Sequence, residues 1–362
     1  MTFVNVEDYH QQAIENWPGV VTAYIDGGSG TEATLRRNRE AIADWQLRQR
    51  VLTGHKPTAL TTRLFGHDIS MPIILSPTGF QMVVHPSGEL AVSRAAAAMG
   101  TVMIVSAAAT ASLEEVSAAA PGGHRWFQIG LFRDRGIIQD MVQRAEAAGY
   151  RALVPMVDTP ILARREAEVR AGFGLPPDLI WANLIPYNTG TMAGGTPGQS
   201  ALSDYIGALW DPEFTWKDIE WLCGLTRLPI VMKGVLDADD AQLALDAGCQ
   251  GVILSNHGGR QLDCTMAALD VLPEVADRVG SSMTVLIDGG IRYGTDVLKA
   301  LALGASAACI GRPYLWGLGA AGEEGVLGVL EILRDQLLEA MTLSGCGDVN
   351  QIDPSVVRKT RT

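Results

Sequence analysis

From about Met71 onward, eight short apolar runs alternate with eight amphipathic or alanine-rich stretches, and this constrains the fold more than any other feature of the chain. The runs lie at 72–76, 102–105, 126–131, 152–156, 229–232, 252–254, 284–287 and 307–310. Each is nearly continuous in apolar residues, as expected of parallel strands covered on their outer side. The intervening stretches, at 89–98, 113–119, 136–148, 216–225, 238–247, 267–279, 295–303 and 324–341, read as helices. Alternating strands and helices with a parallel sheet make an α/β fold. Eight pairs predict a closed TIM (β/α)8 barrel over residues 71–342 rather than an open sheet. Gly149, Gly248 and Gly304 each stand just past one of these helices, where a left-handed residue ends a helix cleanly.

Residues 1–60 do not follow the pattern. They read as an N-terminal helical cap with a Gly-rich turn at 27–30, within a single domain spanning 1–362. The interval 173–212, rich in Gly, Pro, Asn and Thr, interrupts the fourth unit after strand 4. An interval this long in a compact domain is expected to be a lid-like or binding loop. Hydrophobic residues at 47% supply a substantial core. The formal charge of -12 excludes a nucleic-acid partner, which requires a basic face. The first residues have neither the basic nor the apolar region of a secretory signal, and no apolar run is long enough to span a membrane. The five cysteines show no metal spacing and read as reduced thiols of a cytoplasmic protein without a metal site.

In a barrel of this kind chemistry gathers at the C-terminal ends of the strands. The sequence SNHGGRQLD at 255–263 follows the sixth strand and Lys233-Gly234 the fifth. Asp158-Thr159-Pro160, then Arg164 and Arg165, follow the fourth, with Gln128 in the third and Ser106 ending the second. DGGIR at 288–292 and Gly311-Arg312-Pro313 end the last two strands. Glycines there let backbone N–H groups approach an anion, and two arginines complete a phosphate site, so a phosphorylated cofactor or substrate is expected.

With these motifs in this order, the chain resembles the FMN-dependent 2-hydroxy-acid oxidase and dehydrogenase family, which includes glycolate oxidase, lactate oxidase, mandelate dehydrogenase and 4-hydroxymandelate oxidase. The match runs from Tyr24 to the final helix. The resemblance implies FMN, and oxidation of a 2-hydroxy acid to a 2-oxo acid with O2 or a carrier as electron acceptor. It implies that Pro77, Thr78, Gly79, Ser106, Gln128, Lys233 and Ser255 contact the flavin ring and ribityl chain. Asp288, Gly289, Gly290, Arg292, Gly311 and Arg312 would hold the ribityl chain and phosphate. His257 would be the base and Asp158 its charged partner. Arg260 with Tyr24 would clamp the substrate carboxylate, reinforced by Arg165. The family also implies a homo-oligomer, often a tetramer.

These residue types suit that chemistry. A histidine takes a proton near neutral pH, a carboxylate stabilises the imidazolium, and an arginine grips a carboxylate in a bidentate way. A lysine beside a flavin offsets negative charge on the reduced ring. Three positions depart from the family: Gly130 and Ala108 stand where aromatics are usual, and Met156 where a threonine is usual. Losing two aromatics removes about 150–250 Å² of buried surface each. An enlarged pocket and a bulky or aromatic acid are therefore expected. The alternatives are an FMN barrel of altered chemistry, such as amine oxidation or isomerisation, or a catalytically impaired flavin-binding barrel.

Overall fold

A computed structural model describes residues 2–57, 59–176, 179–189 and 201–360. Its centre is a parallel sheet of eight strands: β1 (Ile73–Leu75), β2 (Val102–Ser106), β3 (His124–Ile129), β4 (Leu153–Pro155), β5 (Val231–Val235), β6 (Gly251–Leu254), β7 (Thr284–Asp288) and β8 (Ala307–Ile310). β1 pairs with both β2 and β8, and the remaining strands follow in chain order. Parallel bridges from Leu153 to Ile230 and from Met156 to Lys233 bring β4 against β5 and close the ring. The fold is a TIM barrel.

Strand direction follows from two apolar environments. Ile74, Ile104, Val154, Ile253 and Leu286 point inward and pack on one another. Ile73, Leu75, Met103 and Val105 point outward into the layer beneath the helices. Successive side chains alternate faces, and both faces are apolar, so the sequence reads as unbroken hydrophobic runs. A short hairpin (Thr62–Leu64 with His67–Ile69), which sequence reading left unassigned, adds Leu64, Ile69 and Phe65 to the interior cluster. It plugs one end of the barrel, so the open cavity lies at the other.

Gly149, Gly248 and Gly304 have φ of +78°, +96° and +105°, which confirms the three helix ends expected from sequence. The final helix starts earlier than expected, at Arg312 directly after β8, and runs to Ser344 with a break at Ala321 and Gly322. Its two halves fold so closely that a Cβ on Gly317 would lie 2.4 Å from the Gly325 carbonyl.

The N-terminal cap contains three helices, α1 (Val6–Asn16), α2 (Gly19–Asp26) and α3 (Ala33–Ala43). A reciprocal cap between Asn5 and Asp8 starts α1. The cap continues into Trp45–Leu47, which pairs antiparallel with Val357–Lys359 and ties the two ends of the chain together. The interval 173–212 is not a bare loop: it carries a 3-10 helix (Ala182–Tyr187) and an α-helix (Ala201–Leu209), while residues 190–200 of the lid-like interval lie outside the described residues. Among the described residues, no helix is long and apolar enough to cross a membrane.

Candidate active site

Beyond β6 the chain turns sharply. His257, Gly258 and Gly259 take φ of +60°, +64° and +76°, three successive left-handed residues of which only the first carries a side chain. The turn aims the imidazole across the barrel mouth toward the loop after β4. His257 Nδ1 lies 3.1 Å from Asp158 Oδ1 and 3.3 Å from Oδ2. Thr159 Oγ1 donates to the same carboxylate at 2.9 Å. A carboxylate only accepts, so Nδ1 carries the proton and Nε2 keeps its lone pair. Burial lowers the His257 pKa below its ordinary value, against the opposing pull of Asp158, so the ring is a neutral base at neutral pH. Burial pushes Asp158 the other way, but His257 and Lys233 outweigh it and hold the carboxyl below its usual range.

Lys233 leaves β5 into a buried polar network. Its Nζ lies 2.9 Å from Ser255 Oγ and 2.9 Å from Asp288 Oδ2. Ser255 Oγ donates to Asp288 at 2.9 Å, and Ser76 Oγ donates to the other carboxylate oxygen at 2.6 Å. Burial alone would neutralise the lysine, but Asp288 and Asp158 hold its pKa above the ordinary value. A positive charge is thereby fixed in the cavity wall. Ser255 stands behind Lys233 and Asp158 behind His257, while Lys233, Asp288 and His257 line the cavity.

Four arginines converge on the same mouth. Arg260 Nη1 donates to the carbonyls of Tyr24 at 2.6 Å and Gly27 at 2.7 Å, and the guanidinium lies 5.2 Å from the Tyr24 ring centroid. Arg165 Nε donates to the Arg260 carbonyl at 3.2 Å. Arg312 is held by the carbonyls of Ile25, Gly258 and Gly27, and Arg292 lies over the Trp316 ring at 4.5 Å. Burial pulls Arg260 and Arg292 down to about 9, with Arg312 adding to both. Buried cations that repel one another are stabilised by an anion placed among them. Tyr24 stacks flat on Phe173, ring centroids 3.9 Å apart.

The chain as a whole has counterparts among known proteins. A family model described as FMN-dependent dehydrogenase matches residues 13–359. The chain belongs to that family. Glycolate oxidase 3 of Oryza sativa subsp. indica is 44% identical over 96% of this chain and 94% of its own length. Human 2-hydroxyacid oxidase 1 is 44% identical over 98% of this chain and 96% of its own. A crystal structure of mandelate oxidase with (S)-4-hydroxymandelic acid superposes with a TM-score of 0.93 at 39% identity, covering 99% of this chain and all of that one. The protein is therefore an FMN-dependent oxidoreductase that acts on the CH–OH group of 2-hydroxy acids.

The residues present fit FMN in this FMN-dependent dehydrogenase. Pro77, Thr78, Gly79, Ser106 and Gln128 line one side of the cavity, where Ser106 Oγ donates to Gln128 Oε1 at 2.8 Å. Gly289, Gly290, Gly311, Arg292 and Arg312 line the other end, with Gly311 as the N-cap of the last helix, and would suit the phosphate. Two of the glycines serve a further purpose. A Cβ on Gly290 would lie 2.4 Å from the Asn38 carbonyl oxygen, and one on Gly259 would lie 2.6 Å from the Leu35 backbone. Both admit helix α3 of the cap, which is a packing reason beside the phosphate reason read from sequence.

Sequence reasoning missed Ser76, Phe80, Leu162, Trp181, Leu202, Ile206 and Trp210, all of which line the cavity. The signal was present as two tryptophans in an otherwise Gly- and Pro-rich interval. It also misjudged the space beside Gly130, which is not open. Trp210, from the interval after β4, lies against that glycine and refills its volume from within the chain.

Proposed function

We propose that this FMN-dependent dehydrogenase oxidises 2-hydroxy acids bearing an apolar or aromatic side chain, with O2 as electron acceptor. The carrying observation is that His257, backed by Asp158 at 3.1 Å, lines the same cavity as Arg260 and Arg165. Arg260 and Arg165 hold the substrate carboxylate, with Tyr24 beside it. His257 Nε2 removes the proton from the 2-hydroxyl, and Asp158 stabilises the resulting imidazolium. Lys233 would offer FMN a fixed positive charge, which favours its acceptance of electrons, and Arg292 and Arg312 would hold its phosphate. When bound, FMN would supply the two-electron acceptor for the hydride that leaves C2, so that loss of proton and hydride together gives the 2-oxo acid.

The preference for an apolar side chain rests on Phe80, Leu162, Trp181, Leu202, Ile206 and Trp210, which make the remaining wall hydrophobic. The likeness to a mandelate oxidase agrees with this choice. The test is anaerobic mixing of the holoenzyme with mandelate, lactate and glycolate. Flavin bleaching, fastest with mandelate, is expected. Product formation without net bleaching would replace oxidation with isomerisation. His257→Ala should retain flavin and lose its reduction by substrate; near-normal reduction would remove His257 from the base role.

A further inference from the structure

Residue 130 has no backbone need for glycine, because it is absent from the positive-φ positions. Its constraint is space. A Cβ there would stand 2.8 Å from Trp210 Cζ2, 3.1 Å from Cη2 and 3.2 Å from Phe132 Cε2. Real Cβ atoms do not approach that closely, so Trp210 occupies the place a side chain just past β3 would take.

Trp210 is fixed there by its surroundings. Its backbone bridges to Phe132, Arg133 N donates to the Leu209 carbonyl at 2.9 Å, and Asp211 N donates to the Leu131 carbonyl at 2.8 Å. Arg135 then pairs with Asp211 at 2.7 Å and Asp218 at 2.9 Å, just beyond. The end of the interval is thus stitched to the chain leaving β3. Leu202, Ile206 and Trp210 are spaced four residues apart, so the helix Ala201–Leu209 and the residue that follows it present one apolar stripe to the cavity.

The start of the interval is stitched to the chain leaving β2. Trp181 Nε1 donates to the Ala107 carbonyl, Ala182 N to the Ala109 carbonyl at 3.1 Å, and Asn183 Nδ2 to the Ala107 carbonyl at 3.2 Å. The two indoles meet with centroids 5.7 Å apart at 44°. The small residue at 130 therefore sits against a large aromatic delivered by a different segment, with the second aromatic beside it.

We infer that Trp210, backed by Gly130 and joined by Trp181, is the specificity-determining wall that receives the substrate's C2 side chain. The aromatic surface has been moved from the barrel strands to the interval after β4, and the acid is selected by the Gly130–Trp210 pair. This rests on the 2-hydroxy-acid reading above. A flat indole favours an aryl side chain over a methyl, because offset aromatic contacts add to apolar burial.

The test compares mandelate with lactate as the ratio of second-order rate constants for anaerobic flavin reduction in the holoenzyme. Trp210→Ala should lower that ratio by about tenfold or more, and Trp210→Phe should restore most of it. An unchanged ratio in a folded, flavin-loaded Trp210→Ala overturns the inference while leaving hydroxy-acid oxidation intact. If no hydroxy acid reduces the wild-type flavin, the underlying reading falls and the selectivity inference falls with it. A second measurement needs no turnover. Gly130→Ala should lower the melting temperature in wild type and lower it much less in Trp210→Ala, because the crowded ring is then gone. Additive losses would show that residue 130 and Trp210 do not share one space, and would overturn the pairing.

Discussion

Gly290 and Asn38 meet so closely that a Cβ on the glycine would lie 2.4 Å from the asparagine's backbone oxygen. The contact joins the loop after β7, where we propose that the phosphate is held, to helix α3 of the cap. Arg39 reinforces it by donating from Nη1 to the Gly290 carbonyl and pairing with Asp296 at 2.8 Å. The cap and the loop after β7 are therefore one packed unit.

Gly290→Ala should consequently be costly twice over. The residue has φ of +82°, and the new methyl meets backbone rather than a movable side chain. A loss of about 1–3 kcal/mol in urea unfolding is expected, together with weaker FMN retention. Wild-type stability in this variant would show that α3 yields readily and that the cap is loosely held.

Asp158→Asn should separate orientation from burial at His257. The amide still fits the space but no longer favours the imidazolium or enforces the tautomer with Nδ1 protonated. Flavin reduction should slow by about 10²-fold or more. The base must be neutral to act, so the rate falls as pH drops through the His257 pKa. That pKa already lies below the ordinary value through burial, and Asp158 is what pulls it back up. Its loss should move the acid limb of kcat/KM to still lower pH, and a limb that stays in place would sever the link between the two residues.

The Lys233–Asp288 pair gives a pH signature of stability. Asp288 has a depressed pKa, since burial is outweighed by Lys233 and hydrogen bonds, while Lys233 has a raised one. The carboxylate's contribution is present above about pH 4 and lost as pH falls through its lowered value. The lysine's contribution is present below about pH 10 and lost as pH rises through its raised value. Lys233→Met strands a buried carboxylate and should cost about 3–5 kcal/mol at pH 7. Burial would then raise the Asp288 pKa, so mild acid should stabilise this variant relative to pH 7. Urea unfolding at pH 7 and pH 5 decides it; a variant destabilised by acid as wild type is would refute the pairing.

Arg292→Ala tests the repulsion among the clustered cations. FMN affinity, followed by flavin fluorescence on reconstitution, should fall by about 10- to 100-fold with the lost charge-assisted contact. The flavin-free protein should not lose stability in proportion, because Arg312 is relieved of a like-charged neighbour. An apoprotein that unfolds as readily as affinity falls would make Arg292 a structural residue instead.

Strand-to-helix alternation carried the barrel into view because a parallel strand covered on both faces must be apolar throughout. Val102–Ser106 and Ala307–Ile310 are legible for that reason alone. The hairpin Thr62–Leu64 with His67–Ile69 was not, since three-residue strands with exposed charges carry no periodicity. The polar residues that the structure brings to one cavity were visible as motifs at or near strand ends, because His257, Lys233 and Arg292 interrupt otherwise apolar or glycine-rich stretches.

What surrounds those motifs depends on contacts between segments far apart in the chain. Local sequence determined the eight strands, the glycine helix ends and the identity of the polar groups, because periodicity and backbone preference act over a few residues. Only the tertiary structure decided that Gly290 and Gly259 make room for α3, and that Asp288 answers the charge of Lys233. It also decided that the space beside Gly130 belongs to Trp210, eighty residues away in sequence, because packing density is a property of the folded interior and no single stretch of chain encodes it.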